Sequence, residues 1–66
     1  MTAPTREDVM IQLDRIDTEL ESPEADKAAV MQGAQDWLAS NPPENAADAL
    51  YYRERLQAIG QRHGAG

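Results

Sequence analysis

The chain has 66 residues, no cysteine and no phenylalanine, and Trp37, Tyr51 and Tyr52 are its only aromatic residues. Disulfides, thiolate metal centres and thiol redox chemistry are excluded, and there is room for one small domain, marginally stable without a staple or a partner. A formal net charge of −6 opposes, overall, contact with a phosphate backbone or an anionic membrane at neutral pH.

No apolar run is long enough for a transmembrane span or a signal-peptide core, so a cytoplasmic location, or one within a larger assembly, is expected. Residues 1–66 read as a single helical domain, with 1–4 and 61–66 as flexible tails. The first helix begins at Thr5, an N-cap residue, with Asp8 at the third position of a capping box and Pro4 placed for a staple contact with Val9. Val9, Leu13, Ile16 and Leu20 then step by four, three and four, the rhythm of a helix that packs on other helices. Met10 widens this stripe. Ile11 projects to the opposite side at about 100° per residue.

Ser22 and Pro23 combine a preferred cap with a preferred first helical residue, which predicts a second helix from about Pro23 to Ala39. So short a junction allows either a hairpin or a kink between consecutive helical segments. Val30, Met31, Ala34, Trp37 and Leu38 form its apolar stripe. Gly33 costs about 1 kcal/mol relative to Ala inside a helix, so it marks either the close approach of a neighbouring backbone or a tolerated defect.

Pro42 and Pro43 lack the amide hydrogen a helix interior needs, so the second helix must stop near Ser40. The favoured restart uses Asn41 as N-cap, Pro42 as first helical residue and Glu44 as the capping-box acid. The other places the cap at Asn45, with Asp48 three residues on and 42–44 as a linker. A third helix from about Pro43 to Ile59 or a few residues beyond sets Ala49, Tyr52, Leu56 and Ile59 in one stripe, which His63 extends by one step. Leu50 and Tyr51 fall outside that stripe. Gly60 or Gly64 supplies the C-terminal stop, and the favoured reading, fraying from Gly60 onward, would leave GQRHGAG mostly outside the core. No stretch alternates as a strand does. The fold class is therefore all-α: a small three-helix bundle, or a helical hairpin plus a third helix, with Pro-initiated second and third helices.

Catalysis has few possible actors. There is one histidine, and Ser22 and Ser40 are better explained as helix-end residues, so no nucleophile–base pair forms. The chain reads as a non-enzyme with no catalytic residue, cofactor, metal or small-molecule substrate. Asp14, Asp17, Glu19 and Glu21 lack the D-x-D-x-D-G loop of a calcium site and read as a solvated acidic face. His63, with no second histidine at helical spacing, reads as an exposed imidazole on a frayed end.

Ser40 to Asn45, SNPPEN, resembles the S/T-x-x-x-E-G/N inhibitory motif of the small helical antitoxins that block Fic-type AMP-transferring toxins. Those antitoxins carry it on a helix, which Pro42 and Pro43 oppose here, and no site role is transferred.

Two functional classes follow. Ile11, Leu50 and Tyr51, with Trp37, are apolar residues beyond what the intramolecular stripes absorb, which points to a protein-protein interaction or assembly module. Such a module binds a protein partner or copies of itself, as virion components and regulatory subunits do, without direct nucleic-acid or membrane contact. Eight acids in the first 26 residues, against Arg6 and Arg15 alone, support the alternative. That is an acidic inhibitor imitating nucleic-acid phosphates in a basic cleft, such as a phage-encoded anti-defence protein. An antitoxin or transcriptional accessory factor without DNA contact shares the physics of the first class.

Overall fold

In the computed structural model, which describes residues 3–64, the capping box opens the first helix, α1 (Arg6–Glu21). Thr5 Oγ1 accepts from the Asp8 amide and Asp8 Oδ2 accepts from the Thr5 amide, both at 3.1 Å. Two otherwise orphaned donors are thereby satisfied. The helix ends at Ser22, whose amide donates to the Glu19 carbonyl.

Ser22 and Pro23 do not start the second helix. The Ala25 amide donates to the Ser22 carbonyl at 3.2 Å, closing a turn with Pro23 at its second position. Proline's fixed φ suits that position as well as the first turn of a helix, and Asp26 offers a competing cap three residues on. Helix α2 therefore runs Lys27–Ser40, with Asp26 Oδ1 accepting from the Ala29 amide at 3.2 Å. The junction is a hairpin rather than a kink.

At the proline corner the Asn45 reading holds. Helix α3 spans Ala46–Arg62, and Asn45 Oδ1 accepts from the Ala47 amide at 2.9 Å. Asn41 is already committed to closing α2: its amide and Nδ2 both donate to the Trp37 carbonyl, at 3.0 and 2.9 Å. Pro42 to Glu44 are left as linker, so neither α2 nor α3 is initiated by proline. Ser40 ends α2 and 41–45 are non-helical, so SNPPEN is not presented on a helix.

Each helix packs against both others, giving a three-helix bundle with no strand among the described residues. Arg6 lies over Tyr51 toward one end, while Asp17 meets Arg62 and His63 at the other. Helices α1 and α3 therefore run parallel, and α2 returns between them. The core joins Val9, Leu13 and Leu20 of α1, Met31 and Ala34 of α2, and Tyr52, Leu56 and Ile59 of α3. Met10, Ile16, Val30, Trp37 and Leu38 close its edges. Each fully buried large apolar side chain contributes about 1.5–3 kcal/mol, so Tyr52, Leu20 and Val9, the largest fully buried ones, dominate a small core.

Two open glycine alternatives are decided. Gly60 is buried within α3 and does not fray; the helix stops at Gly64, the other glycine named for it, whose φ of +73° suits a C-terminal stop. Residues 61–64 are thus part of the ordered bundle. Residues 1, 2, 65 and 66 of the expected tails lie outside the described residues, and Ala3 and Pro4 are half-buried. At Gly33 an added Cβ would meet nothing within 4 Å, so no neighbouring backbone approaches closely and the residue is a tolerated defect.

Candidate functional site

Apolar groups stand on the outside of two helices. Ile11 is 58% exposed and Leu50 59%. At about 100° per residue, Ile11 projects about 170° away from the buried stripe of α1 and Leu50 about 150° away from that of α3. Leu50 lies on the flank of α3 that also carries Ala49 and Arg53, which border an open groove of about 730 Å³ between α2 and α3. Met31, Leu38, Pro43, Tyr52 and Leu56 give this groove an apolar floor, with Gln35 and Gln57 beside them.

Tyr51 and Trp37 are less available. Tyr51, 39% exposed, is covered in part by the Arg6 guanidinium, 5.1 Å from its ring centroid, and its ring tilts 60° against that of Tyr52. This cation–π contact ties α3 to α1. Trp37 is half-buried and packs against the core.

The charged residues gather at the other end of the bundle. Asp17 Oδ1 lies 2.5 Å from His63 Nε2, and Asp17 Oδ2 accepts from the Arg62 guanidinium. Hydrogen bonds from Arg62 first, and then from His63, hold the Asp17 carboxyl below its usual pKa, and Asp17 in turn raises that of Arg62. Lys27 Nζ donates to the His63 carbonyl at 2.7 Å, placing a cation where the C-terminus of α3 leaves carbonyls unpaired. Glu21, one turn beyond Asp17, completes the group and is exposed.

Asp17 therefore leaves the solvated acidic face expected of it, while Asp14, Glu19 and Glu21 remain exposed. His63 is not a frayed imidazole, because only 14% of its side chain is exposed. Arg62 and His63 are the residues that sequence reasoning missed as structural partners. The signal for His63 was its place one step beyond Ile59 on the buried stripe of α3.

Among the described residues no helix is long and apolar enough to cross a membrane. Comparison with protein-family models, curated proteins and solved structures finds no match to the chain.

Proposed function

We propose that the chain is a non-enzymatic protein-protein interaction or assembly module of the cell interior or of a larger particle. The observation that carries this reading is Leu50, which is 59% exposed and whose chain neighbour Ala49 lines the apolar α2–α3 groove beside the proline corner. An exposed large aliphatic group on the helix that walls an apolar groove is the anatomy of a contact surface, whereas isolated exposed apolar residues need no explanation. Ile11 supplies a second anchor on α1. A 66-residue chain has little surplus core, so covering these groups with a partner or another copy adds stability.

Light scattering over a dilution series, at low and high salt, tests the proposal. It expects a concentration-dependent species above monomer mass that survives salt and is weakened by Leu50→Ser with Tyr51→Ser. A mass unchanged by the double substitution removes it.

A second reading has its own support. Asp14, Glu19 and Glu21 are exposed and form no ion pair among the described residues, as a phosphate-imitating inhibitor of a basic cleft requires. The Asp17 pairing with Arg62 and His63 thins that face and ranks this reading second. Binding of this kind falls steeply with salt.

A further inference from the structure

We propose that Asp17, Glu21 and His63 form a zinc-binding site that clips the end of α3 onto the end of α1. The ligand atoms of the three side chains all lie within 4.8 Å of one another. Asp17 and Glu21 stand four residues apart on one helix, which stacks them on one face, and His63 arrives from the C-cap of α3. What separates this group from a run of solvated acids is the imidazole. It is largely sheltered, and its Nε2 is already aimed at a carboxylate oxygen.

The donor set selects the ion. One imidazole nitrogen and two carboxylate oxygens, with water in the fourth position, suit tetrahedral zinc. Calcium takes six to eight oxygens and magnesium a strict octahedron, so neither gains from His63. Zinc takes the place of the proton between His63 Nε2 and Asp17 Oδ1. A neutral imidazole, protonated on Nε2 in this contact, shifts that proton to Nδ1 by exchange with water, an imidazolium releases its Nε2 proton to water, and either then gives the Nε2 lone pair to the metal. Tetrahedral geometry with bonds of about 2.0 Å requires the Nε2–Oδ1 pair to open by about 0.8 Å. Glu21 is exposed and free to swing inward.

Arg62 remains on Asp17 Oδ2, where its hydrogen bond orients the ligating carboxylate as outer partners of metal ligands do. Its positive charge, and that of Lys27 on the His63 carbonyl, limits the affinity. The bound ion neutralises two carboxylates and supplies the staple that this composition otherwise lacks. The site is independent of the interaction surface, since Leu50 and the groove play no part in it.

Thermal unfolding of the full chain by circular dichroism, with zinc at about tenfold molar excess, tests the proposal. The midpoint rises by at least about 4 °C, the shift that a modest gain in stability gives a chain of this size. Magnesium and calcium at the same concentration leave it unmoved. His63→Gln and Glu21→Gln each abolish the response, and Glu7→Gln, at the far end of α1, retains it. Because His63→Gln also removes the contact with Asp17, nitrogen NMR of the single imidazole in the unsubstituted chain provides the second reading: zinc shifts Nε2 and fixes the Nδ1-protonated tautomer. An Nε2 resonance indifferent to zinc overturns the site. So does a midpoint rise that persists in both variants, which assigns the ion to scattered surface carboxylates.

Discussion

Asp17 and His63, 46 positions apart in sequence, meet at 2.5 Å and hold the C-terminal half of α1 against the C-cap of α3. Arg62 binds the same carboxylate from its other side. The Asp17 carboxyl therefore has its pKa depressed, chiefly by Arg62 and then by His63. A depressed carboxyl contributes stability that is fully present above its unfolded-state pKa and is lost as pH falls through its folded-state value. Melts in chelator, from neutral pH downward, are expected to show the midpoint falling below about pH 4. Asp17→Asn lowers the neutral-pH midpoint and flattens that fall. A variant with an unchanged acid limb shows that other carboxylates govern it.

Gly33→Ala stabilises the chain. The position is exposed within α2 and the new methyl group meets nothing within 4 Å, so the change collects the helix-propensity difference of about 1 kcal/mol. Urea unfolding measures it as a higher midpoint with an unaltered slope. A loss of stability would show that a backbone does approach there.

Asp26→Ala costs about 1 kcal/mol, the usual value of a lost N-cap. Ser22→Ala costs only a few tenths, because its hydroxyl accepts just a long 3.4 Å hydrogen bond from the Glu24 amide within a turn. Chemical denaturation of the two variants ranks them. The reverse order would place the start of α2 at Pro23.

Leu20→Ala removes one of the largest fully buried side chains and costs about 2–5 kcal/mol. In so small a domain that is enough to leave much of the chain unfolded at 25 °C. Leu50→Ser, on the outer face of α3, changes monomer stability by less than about 0.5 kcal/mol. Far-ultraviolet circular dichroism separates the two outcomes.

The three apolar stripes and the Thr5 capping box were legible because each is a local pattern. Val9, Leu13 and Leu20 are buried as their spacing requires, and so are Met31, Ala34, Tyr52, Leu56 and Ile59. The helix starts were harder, because Ser22, Asp26, Asn41 and Asn45 all have capping side chains and proline suits a turn as well as a first helical residue. Only the committed hydrogen bonds of Asn41 to the Trp37 carbonyl decide the corner. At the C-terminus the local signal of Gly60 lost to tertiary contact: Arg62 and His63 have partners on α1, and these hold the helix through a residue that weakens it. No spacing rule within α3 reveals a partner 45 residues upstream.

The parallel pairing of α1 with α3 also sets an order of events in time. Contacts of α1 with α2 and of α2 with α3 close short loops, whereas the α1–α3 contacts join residues about 45 apart, at a greater entropic cost of closure. The two hairpins are therefore expected to form before the Asp17 clasp closes. On that order Asp17→Asn quickens unfolding and leaves refolding at its pace, an outcome stopped-flow kinetics checks: the clasp would then govern how long the folded chain lasts, not how soon it appears.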